Sequence, residues 1–264
     1  MPIQEIYAVR GHKFMIRADF RRIFSSWQVY VSIIGGLILI LHPVLLSSHI
    51  WELATPLELF SIAMGISDFT PFAVIFAVLP YGASFCVDCQ TEYANSIVSR
   101  IGFRKYAFGR WASVSLSGAL VMGVMMSAAI VFCQIVSGAP ETEESASFLG
   151  TGPWAIGNLP LAAHGLWFYI LRVLLAMLFG SLWAAVGLIV SAIISNPYAA
   201  LVLPFIIYQI LWYLLELSIF NPLYYFRADY EGIPSLLFAF CFQIFWNISA
   251  GTASVFLVKR RLHR

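Results

Sequence analysis

Long apolar segments of the sequence carry side-chain amides, among them Gln134, Gln209, Gln243 and Asn247. A buried amide needs hydrogen-bond partners, and amides in membrane bundles commonly find them by bridging two helices. Alternatively, Gln209, Gln243 and Asn247 line a pathway for a solute. Both interpretations stay open for these three residues. A pathway without charged side chains suits a hydrophobic or amphiphilic solute better than an ion.

Other chemistry-bearing motifs are absent from the sequence. No G-x-x-x-x-G-K-[ST] loop occurs, so the chain cannot hold a nucleotide in the P-loop manner. Cys86 and Cys89 form one C-x-x-C pair without a second ligand pair, which disfavours a metal site. The histidines lie in flanks and helix ends rather than at catalytic spacing, and nothing indicates nucleic-acid binding. We therefore expect no catalytic site, no metal site and no cofactor in this chain.

The composition is that of a membrane protein, with 61% hydrophobic and 11% charged residues and a mean hydropathy of +0.85. A helix needs about 20 apolar residues to cross a bilayer core. Six runs meet this requirement: Trp27 to Leu46, Phe69 to Cys86, Trp111 to Val136, Trp167 to Ile194, Tyr198 to Leu217, and Leu236 to Val258. The predicted fold is an all-α polytopic membrane protein, with a single six-helix transmembrane domain over residues 27–264.

Lysine and arginine are distributed unevenly among the connections between these runs. Thirteen of the fifteen lie before the first run, in the second connection or after the last run. Acidic residues instead concentrate in the predicted outer loops, at about 47–68, 137–166 and 218–235. Because basic residues mark the cytoplasmic side, both termini are predicted to be cytoplasmic. We expect a multi-pass protein of the cell membrane, and a bacterial plasma membrane in particular.

Residues 1–26 have the pattern of an interfacial helix on the cytoplasmic side. Arg10, Lys13, Arg17 and Arg21 recur at spacings of three and four beside an apolar stripe. Such a helix lies in the membrane surface, with its basic side at anionic headgroups. The alternative is a basic anchor that only sets the orientation of the first span.

The segment from Asp88 to Arg110 is the one substantial polar interruption within the apolar chain. A short amphipathic helix is predicted at about residues 91–102, ending at Gly102. Its apolar side is formed by Tyr93, Ile97, Val98 and Ile101, and its polar side by Glu92, Asn95, Ser96 and Ser99. Arg104, Lys105 and Arg110 are expected to form a basic collar where the chain re-enters the membrane.

This order of parts resembles the membrane subunit of a bacterial ABC exporter of the type-2 permease class, whose fold is shared with the ABCA and ABCG exporters. The resemblance covers the whole chain and is carried by YANSIVSRIGFRKYAFGRWASVSLSGAL and by GLIVSAIISNPYAALVLPFIIY, around the fourth-to-fifth turn. It implies that the short helix is a coupling helix, which docks into a separate ATPase subunit, and that the fourth-to-fifth turn makes a smaller contact. By position, the implied contact residues are Glu92, Tyr93, Asn95, Ile97, Val98, Arg100, Ile101, Arg104, Lys105, Asn196 and Pro197.

The resemblance further implies a dimer of permeases with two ATPases, which hold the ATP and Mg, and a pathway lined mainly by the first, second and fifth spans. The cargo could be an antimicrobial peptide, a drug, a lipid or a glycan precursor, and the second permease could be the same chain or a homologue. An integral membrane enzyme or channel is the alternative, and a non-transporting sensor or scaffold is a third. An enzyme would be expected to cluster its acid, base or metal ligands near one membrane face, and a channel to carry a polar or charged ring.

Overall fold

Helices make up most of the chain that the computed structural model describes, which is residues 18–140, 155–156, 159–160, 166–216, 218, 220–227 and 236–262. Residues 18–24 are helical and are called α1. The others are α2 (Trp27–Leu46), α3 (Pro56–Gly65), α4 (Phe69–Val78), α5 (Ser84–Gln90), α6 (Tyr93–Ile101), α7 (Phe103–Val136), α8 (Leu166–Ile193), α9 (Pro197–Leu214), α10 (Pro222–Arg227) and α11 (Leu236–Leu262). A 3-10 turn spans Ser48–Ile50, and the two-residue strands β1 (Ala155–Ile156) and β2 (Leu159–Pro160) pair antiparallel.

Five of the described helices are long and apolar enough to cross a membrane, namely α2, α7, α8, α9 and α11. The pair formed by α3 and α4 would make a sixth span if it is counted as one broken segment. The predicted helical, multi-pass architecture is confirmed at this level. The bounds of α2 coincide with those predicted for the first span.

The second span, expected as one run from Phe69 to Cys86, is interrupted, because α4 ends at Val78 and α5 begins at Ser84. The loop expected before it also differs. The expected outer loop at 47–68 contains α3, which is bent by 80° from α4. Thr55 and Glu58 form a capping box that begins α3, each side chain bonding the backbone N–H of the other residue. Pro71 lies in the first turn of α4, where its missing N–H breaks no helical hydrogen bond. Pro80 lies in the break between α4 and α5.

The helices α7 and α8 cross closely at two glycines, Gly118 and Gly180. A Cβ atom on Gly118 would collide with the carbonyl oxygen of Gly180, and the reverse is also true. Small residues allow such a close backbone approach in membranes, where packing rather than the hydrophobic effect drives helix association. This crossing lies at the centre of the core, next to the buried Met122 and Ala184.

Candidate functional site

Hydrogen bonds gather four distant parts of the chain at one end of the bundle, called here the α6 end. Arg22 of α1 pairs with Asp88 of α5 over 3.2 Å. Gln90, at the end of α5, donates to the carbonyl of Ser195 in the α8–α9 turn over 3.1 Å. Arg261, near the end of α11, also contacts the Ser195 hydroxyl. The segments that the sequence analysis assigned to one membrane face therefore meet at one end of the fold.

The predicted amphipathic helix is present as α6, and its two sides have different surroundings. Ala94 and Val98 are buried, while Ile97 and Ile101 are half-buried and pack against the core. The apolar side of α6 is thus directed mainly into the chain itself. The exposed side carries polar residues, namely Glu92, Asn95, Ser96, Ser99 and Arg100.

The residues that flank α6, Glu92 and Gly102, both have a positive φ angle. Glu92 has φ 56° and ψ 7°, and Gly102 has φ 83° and ψ 154°. The first is the small left-handed region, and the second is a region that essentially only glycine adopts without strain. Because Gly102 alone separates α6 from α7, the angle between these helices depends on that glycine.

Arg110 lies in a buried ionic cluster, contrary to the expectation that it forms a basic collar at the surface. Its side chain is fully buried, whereas Arg104 and Lys105 are exposed on the first turn of α7. A buried charge is stable only when it is paired and hydrogen-bonded, and two carboxylates meet this need. The ionic cluster consists of Asp19, Arg22, Tyr81, Asp88, Tyr106 and Arg110.

Arg110 is the centre of this ionic cluster. Its guanidinium pairs with Asp88, lies 3.4 Å from an oxygen of Asp19, and donates to the Tyr81 hydroxyl over 2.8 Å. The Tyr81 hydroxyl in turn donates to Asp19 over 2.9 Å, and the Tyr106 hydroxyl donates to Asp88 over 3.2 Å. These bonds fasten α1, the α4–α5 connection, α5 and α7 to one another. The sequence analysis assigned no role to Asp19, Tyr81 or Tyr106.

Arg22 connects the ionic cluster to α6. Its guanidinium carbon lies 5.0 Å from the ring centroid of Tyr93, the first residue of α6, within the range of a cation–π contact. The same side chain pairs with Asp88. The beginning of α6 therefore contacts α1 directly, and it contacts α5 and α7 through the charged groups behind Arg22.

The remaining polar residues of the α6 end occupy the α8–α9 turn and the ends of helices. Asn196 is exposed and caps α9 by accepting the Tyr198 N–H over 2.9 Å, while Pro197 takes the first helical position. Arg261 donates to the last carbonyls of α8, where a cation complements the helix dipole. Arg21 is exposed on α1. The other predicted membrane-surface residues, Arg10, Lys13 and Arg17, lie outside the described residues.

Two of the membrane amides, Gln209 and Asn247, form helix-bridging bonds. Gln209 of α9 donates to the Pro71 carbonyl of α4 over 2.9 Å, and Asn247 of α11 donates to the Leu178 carbonyl of α8 over 3.0 Å. Gln243 is buried, and its carbonyl oxygen has no hydrogen-bond partner among the described residues. Gln209 also lines an open cleft of about 660 Å³ near the other end of α9. Bridging and cleft lining are thus combined in Gln209.

The C-x-x-C pair is reduced, and Cys86 donates from its thiol to the carbonyls of Ser191 and Ile194. Burial raises the pKa of the Cys89 thiol, although the nearby Arg261 partly opposes that rise. A raised pKa lowers the thiolate fraction, so Cys89 is a weak nucleophile at neutral pH. Among the described residues, no three potential metal-ligating side chains come together.

Compared with known proteins, the chain matches no protein-family model and no curated protein.

Proposed function

We propose that the chain is the transmembrane permease subunit of an ATP-driven exporter, which moves a hydrophobic or amphiphilic substrate with energy from a separate ATPase subunit. The observation that carries this proposal is the construction of α6. This helix is short, it is amphipathic, and it is joined to a long apolar helix by a single residue. A soluble partner that pushes on α6 would act on α7 without an intervening loop.

The exposed side of α6 is the part available to such a partner. Asn95 and Ser99 are exposed, whereas Val98 on the opposite side is buried. The ATPase contact is therefore proposed to use mainly the polar side, together with Asn196 in the α8–α9 turn. The family resemblance instead implies that Ile97, Val98 and Ile101 take part in this contact. In the structure those residues hold α6 to the permease itself, with Ile97 and Ile101 packed against the core.

Charge supports a cytoplasmic location for the α6 end. Its exposed or half-exposed basic residues are Arg21, Arg22, Arg100, Arg104, Lys105, Lys259, Arg260 and Arg261. Cytoplasmic segments close to membrane spans carry such an excess of lysine and arginine. An ATPase that uses cytoplasmic ATP would meet α6 on this side.

The exposure of α9 supports an assembly with a second permease. Only 17% of the most apolar stretch of α9 is buried, compared with 56% of the corresponding stretch of α8. Large apolar side chains on its surface include Val202, Ile206 and Ile210. In the proposed assembly, the Gln209 cleft beside this surface forms part of the amphiphile pathway, because it combines the polar side chains of Gln209 and Glu216 with an apolar wall that includes Ile210 and Leu214.

Co-purification tests the proposal directly. The tagged chain, isolated from its native membranes in mild detergent, should retain a subunit with a G-x-x-x-x-G-K-[ST] loop and should hydrolyse ATP only as that complex. Asn95→Arg with Ser99→Arg places two long cations on the exposed side of α6. We expect this variant to retain at least tenfold less of the ATPase subunit, because burying two unpaired cations in the contact opposes association.

Ser48→Arg provides the matched control, since Ser48 is equally polar and exposed but lies at the opposite end of α2. This control should assemble and hydrolyse ATP as the unmodified chain does. The proposal would be refuted by ATP turnover of the isolated chain, or by full assembly of the Asn95/Ser99 variant. Ile97→Asp is a poorer probe, because Ile97 packs against the permease core and its loss would disturb the fold.

A further inference from the structure

A side cavity of about 380 Å³ opens at the α6 end, between the α1–α2 junction, the α4–α5 connection and the beginning of α9. This volume lies within the range of about 300–1,000 Å³ that is usual for small-molecule sites. Its polar lining comes from Arg22, Ser26, Gln28 and Ser84, and its apolar lining includes Leu79 and Leu201. One cavity therefore offers both a polar pole and an apolar wall.

Among the described residues that line the cavity, the charged one is Arg22. Arg22 has 42% of its side chain exposed, while the carboxylates beside it, Asp88 and Asp19, are 0% and 1% exposed. None of the described lining residues is acidic. On the inner side, Asp88 contacts Arg110 and Tyr106, and one oxygen of Asp19 contacts Arg110 and Tyr81. A ligand in the cavity would thus meet the guanidinium and not the acids.

Neutral polar side chains line the same cavity as this guanidinium. Ser84 is one of them, and its buried hydroxyl has no hydrogen-bond partner among the described residues. Ser26 donates from its hydroxyl to Gln28 Oε1 over 3.3 Å, so the amide NH₂ of Gln28 is not used in this bond, and both residues line the cavity. A guanidinium with nearby hydroxyl and amide donors suits a phosphate group.

The depth of the cavity in the membrane follows from the aromatic residues around it. Trp27 at the beginning of α2 is 69% exposed, and Tyr198 at the beginning of α9 is 76% exposed. Exposed tryptophan and tyrosine at span ends mark the headgroup level of a bilayer. The cavity lies beside these residues, so its polar pole is at headgroup depth and its apolar wall faces the acyl chains.

We infer that this cavity binds an anionic membrane lipid, with the phosphate of the headgroup at Arg22 and the acyl chains along Leu79 and Leu201. The bound lipid would share Arg22 with Asp88 and Tyr93, and would thereby touch both the ionic cluster and α6. This inference does not require an ATPase partner, so it stands or falls separately from the proposed function.

The test uses the full chain in an uncharged detergent, titrated with phosphatidylglycerol, phosphatidylcholine or soluble glycerol 3-phosphate. Native mass spectrometry counts the retained lipid, and tryptophan fluorescence follows the unfolding temperature. A ligand that binds only the folded state raises that temperature. Phosphatidylglycerol should raise it by several degrees, phosphatidylcholine by less than half as much, and glycerol 3-phosphate not at all at equal concentration.

Three variants localise the site. Arg22→Gln should weaken phosphatidylglycerol binding at least tenfold, whereas Arg21→Gln, which removes an exposed charge next to it, should stay within twofold. Arg22→Gln also breaks the bond to Asp88 and could disturb the fold. Ala83→Leu is therefore the second probe, because it fills the cavity and leaves every charge in place. Ala83→Leu should also weaken phosphatidylglycerol binding at least tenfold.

Unchanged binding in either Arg22→Gln or Ala83→Leu would overturn the inference. Equal stabilisation by phosphatidylcholine would overturn the requirement for an anionic lipid. Equal stabilisation by glycerol 3-phosphate would show a site for soluble phosphate compounds, and a loss as large in Arg21→Gln would show nonspecific surface attraction.

Discussion

Replacing Arg110 with methionine should destabilise the chain, because it removes the buried cation that two buried carboxylates share. Asp19 and Asp88 are 1% and 0% exposed, and Arg110 is the buried cation that both contact. Methionine is shorter but close in volume, so the change mainly removes charge and hydrogen-bond donors. The variant thus isolates the electrostatic part of the ionic cluster.

The size of the effect follows from what remains around the carboxylates. Breaking a buried ion pair by removing one partner costs about 3–5 kcal/mol. Asp88 keeps Arg22 and Tyr106, and Asp19 keeps Tyr81, so the lower part of that range applies here. We expect a loss of about 3 kcal/mol, which is roughly a 100-fold change in the folding equilibrium.

The assay is unfolding of the purified chain in mixed micelles of increasing sodium dodecyl sulfate content, followed by tryptophan fluorescence. Arg104→Met is the matched control, since Arg104 is exposed on the same helix, and it should change the stability by no more than about 0.5 kcal/mol. A loss below about 1 kcal/mol in Arg110→Met would refute the reasoning, since it would mean that the carboxylates do not depend on that cation. Adding Asp19→Asn and Asp88→Asn to Arg110→Met should restore most of the stability, because the stranded charges are then gone.

Three further predictions concern packing, backbone and topology. Gly118→Val should destabilise the chain by about 2 kcal/mol or more in the same unfolding assay, because its side chain meets the Gly180 backbone; a neutral result would mean that α7 and α8 can separate freely. Gly102→Ala should cost about 1–3 kcal/mol, since alanine is strained at φ 83°, whereas Ser99→Ala should be neutral; equal stability of the two would contradict this. In a cysteine-free background in intact cells, an impermeant thiol reagent should label Ser48→Cys and spare Ser99→Cys, and the reverse pattern would overturn the orientation drawn from charge.

The sequence predicts the long apolar helices and α6 well, because their signals are local. The run that becomes α2 is bounded by Ser26, a residue type that caps helices, and its side chain does accept the N–H of Gln28. For α6, the alternation of apolar and polar residues at helical spacing locates the helix from the sequence alone.

Two features were missed for different reasons. The α3 helix carried a local signal, since Thr55, Pro56 and Glu58 form the T-x-x-E pattern of a helix beginning with proline at its first position. The acidic residues around it favoured a loop in the sequence analysis. The ionic cluster had no local signal, because Asp19 and Arg110 lie 91 residues apart. Only the packing of α1 against α7 brings their charges together.

The position of the ionic cluster determines how a displacement of α6 would travel in the proposed permease. Arg110 lies eight residues after Gly102, or about 12 Å along a helix at 1.5 Å per residue. A movement of α6 therefore reaches the charged contacts within roughly two turns of α7. Because no loop separates α6 from α7, the movement cannot be absorbed before it arrives there.

At that point the displacement has two possible outcomes. Either the base of α7 moves together with α1 and α5, or the contacts of Arg110 separate. Separation would leave buried charges unpaired, which costs about 3–5 kcal/mol, so joint movement is favoured. In this mechanism the ionic cluster makes α1, α5 and the base of α7 respond as one body to α6. Under the same mechanism, the combined Arg110→Met, Asp19→Asn and Asp88→Asn variant should fold and bind the ATPase subunit, yet show weakened coupling between substrate and ATP hydrolysis. Normal coupling in that variant would show that the charged contacts only stabilise the fold.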